Sequence, residues 1–159
     1  MTSVTLPEGV TSIGSSAFSD CTNLTRAIIP ATVTSIGTHA FGNCVSLTDV
    51  TMPAGVTTIG DYALYSCVSL TTVTIPASVT SLGRGVFHAC FSLASVVFLG
   101  DPPTLGGPLA GEGGIVTTVA IYPVGNAAWT ALGDSFGGLA LVPYANAVAG
   151  AATPPQGAA

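Results

Sequence analysis

The chain has 159 residues, and 6% of them are charged, against about 25% in an ordinary soluble domain. Two Arg, no Lys and a formal charge of −5 exclude an electrostatic nucleic-acid binder, because counterion release needs several basic contacts. They also argue against a polybasic membrane-surface protein, while 48% apolar residues exclude disorder and the length suits one domain.

Residues 1–7, Met-Thr-Ser-Val-Thr-Leu-Pro, have no basic n-region and no apolar h-region. They do not read as a signal peptide, so the expectation is a cytosolic protein or a mature or excised piece of a longer one. Self-similarity follows at once. Cys21, Cys44, Cys67 and Cys90 recur at one interval, and Pro7, Pro30, Pro53 and Pro76 keep it. So do Gly14, Gly37, Gly60 and Gly83, and Leu24, Leu47, Leu70 and Leu93. Each interval is 23 residues. Phe18, Phe41, Leu64 and Phe87 form one more column. Every unit predicts one turn of a solenoid. In residues 70–75, Leu70, Val73 and Ile75 point inward and Thr71, Thr72 and Thr74 outward, by the two-residue period of a strand. Pro76 ends the strand because it cannot donate to a ladder. Val79 and the Ile59 position bury the return segment. The glycine permits a backbone conformation that other residues resist. Ala63, Leu64 and Cys67 are expected in a short helical turn. A single turn cannot bury its apolar face, so stacking supplies the core. Roughly seven turns at about 4.8 Å make a stack about 30 Å long.

The period is expected to continue past the regular repeats, with loosened loops. Leu105 and Gly106 hold the places of Leu82 and Gly83. Val116 lies 23 residues beyond Leu93 and Leu139 a further 23, so each is read as opening a strand. Gly113 stands where the next Cys is due. Within this closing piece Asn126 is placed to N-cap a helix over residues 127–132 that stops at Gly133. The reading divides the chain into regular repeats at 1–99, diverged closing turns at 100–144 and an Ala/Gly/Pro-rich tail or linker at 145–159. Residues 135–159 carry no charge, but Gly137, Gly138, Pro143, Gly150, Pro154 and Pro155 break them. A membrane-spanning helix is therefore not expected.

The unit Val-Thr-x-Ile-Gly-x-x-Ala-Phe-x-x-Cys-x-x-Leu-x-x-Val-x-Ile/Met-Pro, as in residues 33–53, resembles the BspA-like leucine-rich repeats, a bacterial and protist variety with a 23-residue unit. The match covers about residues 4–99, and 98–106, 122–129 and 136–138 resemble more loosely the closing segment of similar bacterial proteins. The chain lacks the asparagine ladder of commoner leucine-rich repeats. The resemblance implies a right-handed solenoid with short parallel strands on one face, and a surface adhesin or partner-binding module with no known use in catalysis.

Candidate chemistry is sparse. Cysteines one turn apart form a straight ladder. Neither a zinc site nor disulfides suit that arrangement, and a column of small buried thiols does. Arg26 precedes Asp49, and Asp61 precedes Arg84, by one period, so each arginine is placed to pair with an aspartate on a neighbouring turn. His39 stands one period before Tyr62, and Tyr65 one before His88. These four belong on the outer surface after the glycine turn, as a recognition patch or as plain side-chain stacking. Neither His has an acid in its column, and no nucleophile-elbow, zinc-protease, P-loop or dinucleotide motif appears. No catalytic residue, metal or cofactor is therefore assigned. Threonine columns (Thr25, Thr48, Thr71, Thr117; Thr5, Thr51, Thr74; Thr11, Thr34, Thr57, Thr80) suit exposed strands. They also resemble ice-binding arrays, spoiled by interruptions such as Ile28.

The resemblance, with no catalytic motif beside it, implies a non-catalytic interaction or adhesion module at a microbial cell surface. Its contacts are expected on the outward strand positions Arg26, Thr48, Asp49, Thr51, Thr71, Thr72 and Thr74. The partner would be another protein, a surface glycan or further copies of the chain, with no nucleic acid and no membrane insertion. The alternative is a subunit assembling end to end into extracellular filaments. Met1 falls in mid-repeat, so an open strand edge at Val4 and Leu6 would meet an edge at Leu139, Val142 and Tyr144.

Overall fold

The computed structural model describes residues 2–110 and 118–144. Val116, Thr117, Gly113 and the tail at 145–159 lie outside them. In chain order the elements are β1 (Ser3–Thr5), β2 (Ser12–Ile13), β3 (Arg26–Ile28), β4 (Ser35–Ile36), β5 (Asp49–Thr51), β6 (Thr58–Ile59) and β7 (Thr72–Ile75). There follow β8 (Ser81–Leu82), β9 (Ser95–Phe98), β10 (Thr104–Leu105), β11 (Val119–Pro123), α1 (Ala127–Thr130), β12 (Ser135–Phe136) and β13 (Leu139–Tyr144). They form a β-solenoid of about six turns.

Each regular turn has three faces. The strand face carries the odd-numbered strands in two parallel sheets, β1-β3-β5 and β7-β9-β11-β13, with β12 added at the end. The return face is one sheet, β2-β4-β6-β8-β10. Its neighbours pair at the repeat spacing, Ile13 with Ile36, Ile36 with Ile59, Ile59 with Leu82 and Leu82 with Leu105. Leu105 thus takes the place predicted for it.

The third face is where a short helical turn is expected, and the structure replaces it with something else. Residues 15–20 and their counterparts form consecutive turns. Two positions per unit have positive φ: Ser16, His39, Tyr62 and Gly85 in one column, Asp20, Asn43, Ser66 and Ala89 in the other. That alternation turns the N–H groups of Ser16, Phe18 and Asp20 toward the carbonyls of Thr38, Ala40 and Gly42 on the next turn. The same pattern recurs from His39, Phe41 and Asn43 to Asp61, Ala63 and Tyr65. A helix would satisfy these groups within its own turn. Here they cross-link the stack, so all three faces carry inter-turn backbone bonds.

The glycine column also has a different cause from the one expected. Gly37 and Gly60 lack positive φ. Instead, a Cβ on Gly37 would lie 2.7 Å from the Ser15 nitrogen, and one on Gly60 2.7 Å from the Thr38 nitrogen. Glycine is required because successive backbones touch there.

The core follows the inward columns. Leu24, Leu47, Leu70 and Leu93, the cysteines from Cys44 onward, and Phe41, Leu64 and Phe87 are essentially inaccessible. Each fully buried Leu or Phe contributes about 1.5–3 kcal/mol, and the column repeats that gain at every turn. Past β9 the period drifts. Val119 pairs with Ser95 and then with Ala140, so the intervals are not the expected 23. The core there is aromatic. Trp129, fully buried, lies 4.9 Å from Phe98, 4.9 Å from Phe136 and 5.5 Å from Tyr122. Its indole N–H donates to the Gly100 carbonyl at 2.8 Å. Asn126 caps α1 as predicted, its side chain accepting from the Ala128 and Trp129 N–H groups. The helix stops at Thr130, two residues short of the expectation. No helix among the described residues is long and apolar enough to cross a membrane.

Candidate functional site

The outward strand positions converge on one surface. Parallel pairing sets Arg26 beside Asp49 and Ile28 beside Thr51. Arg26 Nε meets Asp49 Oδ2 at 2.9 Å, with both side chains about half exposed. The hydroxyls divide into two kinds. Thr48 donates back to the Thr25 carbonyl at 3.1 Å, and Thr72 shares a 3.1 Å bond with Ser95. Those of Thr51, Thr71 and Thr74 form no hydrogen bond among the described residues, and they are exposed or half-exposed. Further along, the outward column becomes Val97, which is only 2% exposed. The Thr51–Thr74 column therefore ends at β7, a limit that strand alternation alone does not reveal.

The return-face threonines behave like Thr48. Thr34, Thr57 and Thr80 each donate to the carbonyl of the threonine one turn earlier. These hydroxyls stitch turns together, which gives the column a structural reason and removes the regular free lattice that an ice-binding array would present. A shallow groove of about 620 Å³ runs beside them along Gly14, Gly37, Gly60 and Gly83.

The second expected ion pair is not made. Asp61 Oδ1 accepts from the backbone N–H of Arg84 at 2.8 Å, and the Arg84 alkyl chain lies against Gly107 instead. Arg84 presents its backbone N–H as well as its guanidinium to the aspartate one turn away, and the backbone N–H wins because it is already fixed.

The four His and Tyr residues do come together, on the turn face. His39 stacks on Tyr62 (5.2 Å between centroids, 16° between planes) and Tyr65 on His88 (5.5 Å, 12°). Tyr62 and Tyr65 meet edge to face at 6.2 Å. All four are half-buried, and their side-chain polar atoms form no hydrogen bond among the described residues. His39 and Tyr62 sit at φ 53° and 54°, a conformation costing a non-glycine residue about 1–2 kcal/mol. The neighbouring turn has Gly85 in the same column, and a side chain there would overlap the Tyr62 ring.

A family model for the BspA type leucine rich repeat region matches residues 1–106, in six copies. The chain belongs to that family. A T. pallidum leucine-rich repeat protein is 31% identical, with a TM-score of 0.68, over 77% of this chain and 58% of that one. A leucine-rich repeat protein from Bacteroides capillosus is 35% identical, with a TM-score of 0.56, over 62% and 77%. A leucine rich cell surface protein from Faecalibacterium prausnitzii is 28% identical, with a TM-score of 0.54, over 90% and 39%. The chain thus spans little more than half the T. pallidum protein and less of the F. prausnitzii one. No curated protein matches it. Leucine-rich repeat proteins typically bind other proteins and are generally not catalysts.

In this BspA-type repeat the cysteines are free, and those from Cys44 onward are buried. The thiols of Cys44, Cys67 and Cys90 donate to the carbonyls of Phe18, Phe41 and Leu64. Burial pushes Cys44 up to about 11, helped by the neighbouring Cys21. Burial also takes Cys90 to about 12 and Cys67 in the same direction. They are inert donors, because the reactive form of a cysteine is the thiolate. Among the described residues no three His, Cys, Asp or Glu side chains converge.

The residues of the expected assembly edge lie in unlike settings. Val4 and Leu6 are partly buried against the core, as are Val10, Phe18 and Cys21, and among the described residues β1 pairs with β3 alone. At the other end β12 folds back antiparallel on β13, pairing Phe136 with Leu139 and Ser135 with Ala140. Leu139 is 1% exposed and is a core residue, not an edge. Val142 and Tyr144 lie beyond the hairpin's cover.

Proposed function

We propose that this chain is a non-catalytic, protein-binding adhesion module at a bacterial cell surface, reading its partner with the strand face from β3 to β7. The observation that carries this reading is the pairing of Arg26 and Asp49 beside the uncommitted hydroxyls of Thr51, Thr71 and Thr74. Backbone bonds on every face hold them, so little conformational entropy is lost on docking. The F. prausnitzii protein is described as a cell surface protein, which supports the location. The test is to apply labelled chain to intact cells and extracellular matrix preparations, with Thr51→Lys/Thr74→Lys as the competitor. Saturable binding that unlabelled wild type displaces and the variant does not is the expected result. Equal displacement by both removes the strand face from the reading.

A second reading is end-to-end self-association, in which the half-covered Val4, Leu6 and Phe18 would meet another copy. The opposing surface would be Val142 and Tyr144, since β12 covers Leu139. Light scattering and negative-stain microscopy over a concentration series decide it. Rods support assembly, and a monomer at high concentration rules it out.

A further inference from the structure

We infer that the His39–Tyr62–Tyr65–His88 patch on the turn face is a second docking site, and that it takes the lysine or arginine side chains of a basic protein segment. The inference does not rest on the strand-face reading, since the patch lies on a different face of each turn. Three observations carry it. Bulky rings fill two positions of a positive-φ column that holds Ser16 and Gly85 in the other turns. The rings are also locked before any ligand arrives, by two stacks and an edge-to-face contact across three turns.

The chemistry on offer is that of an acceptor. The Tyr faces carry negative potential, and a cation over such a face gains more as water is excluded. Both Tyr hydroxyls, and the Asp61 Oδ2 next to them in sequence, form no hydrogen bond among the described residues. Lysine and arginine are donors only. The chain cannot fill the site itself: it has no Lys, Arg26 pairs with Asp49 on the strand face, and Arg84 runs along Gly107. With a net charge of −5, attraction of a basic partner also has the right sign at long range.

The probe is a synthetic nonapeptide of alternating lysine and serine, with a fully lysine-acetylated counterpart, titrated into the full chain by calorimetry and NMR. The expected result is binding of the basic peptide alone, with its lysine ε-methylene protons shifted upfield by the rings. Affinity should fall about tenfold in Tyr62→Leu/Tyr65→Leu, which keeps apolar bulk but loses the ring faces. Trp129 fluorescence reports whether that variant is folded. If it is not, the upfield shift in wild type decides alone. No binding, no upfield shift, or equal affinity in a folded ring variant overturns the proposal. So does ring-dependent binding of neutral oligosaccharides in place of the peptide. A partner lost to Thr51→Lys/Thr74→Lys in a chain that ignores the basic peptide would leave the strand-face reading standing and remove this one.

Discussion

The first four repeats and the closing piece around Trp129 solve the same problem by opposite means. In the repeats the core and hydroxyl contacts are made several times. The Cys44 thiol reaches the Phe18 carbonyl, Cys67 reaches Phe41 and Cys90 reaches Leu64, and the Thr34, Thr57 and Thr80 hydroxyls do likewise on another face. In the closing piece each contact is made once: one indole N–H on Gly100, one capping Asn126, one antiparallel hairpin. Repetition spreads stability along the stack, while a contact made once has no like contact beside it to share its loss. A deletion around Trp129 should therefore cost more than the same kind of deletion in the ladder.

The largest expected effect is Trp129→Ala. It removes the ring that touches Phe98, Tyr122 and Phe136 together and leaves the Gly100 carbonyl without its donor. A loss of about 3–5 kcal/mol is expected, read as a lowered urea midpoint. Trp129→Phe should recover part of it. If Trp129→Ala costs under about 1 kcal/mol, the closing piece does not cap the core.

Next is a pair of glycine substitutions inside the ladder. Gly60→Ala puts a methyl 2.7 Å from the Thr38 nitrogen and 2.8 Å from the Gly37 carbonyl carbon, whereas Gly14→Ala meets nothing within 4 Å. Overpacking of this kind costs about 1–3 kcal/mol. Thermal melts should show that loss for Gly60→Ala and under about 0.5 kcal/mol for Gly14→Ala. Equal melts would mean the turns do not touch along this column.

The thiols give a smaller and pH-dependent contrast. Burial raises Cys44 to about 11 and Cys90 to about 12 from an ordinary 9.0. Above pH 9 the unfolded chain gives up protons that the folded chain keeps, so stability falls as pH rises. Each thiol loses about 1.4 kcal/mol per pH unit until its folded value is passed. Unfolding midpoints should stay level between pH 7 and 8 and fall by pH 10, and Cys90→Ala should remove one thiol's share of that slope. A slope unchanged by the substitution would sink the assignment.

What was legible in the residues follows the same division. The columns of Cys, Leu, Gly and Pro announce the solenoid, because a repeated contact leaves a repeated residue. They do not announce that the turn face bonds from rung to rung, since positive φ at Ser16 or Tyr62 has no residue signature as clear as glycine's. Nor do they show that Asp61 serves a backbone N–H in place of a guanidinium, a choice settled by short-range geometry. The closing piece was legible where the repeat period still ran, as at Leu105 and the strand opening at Leu139, and where chemistry is local, as at the Asn126 cap. The β12 hairpin that buries Leu139 depends on contacts made once. The His/Tyr patch was visible as spacing, but its interlocked rings and strained backbone needed coordinates.

The smallest effect compares one exposed polar bridge from each region. Arg26 and Asp49 meet at 2.9 Å in the ladder, and Asn126 Nδ2 donates to Asp101 Oδ1 at 2.8 Å in the cap. The distances are nearly equal, but the settings differ. Arg26 is a long, half-exposed side chain whose ordering offsets most of its Coulomb gain. Asn126 is already fixed, because its Oδ1 caps α1. A double-mutant cycle on Arg26→Ala and Asp49→Ala should give about 0.2–1 kcal/mol of coupling, falling in 0.5 M salt. The Asn126–Asp101 cycle should give a coupling at least as large and less sensitive to salt, since one partner is uncharged. If the ladder pair couples more strongly and survives salt, Arg26 and Asp49 are held more rigidly than their exposure implies, and the strand face is a harder surface than the cap beneath which it ends.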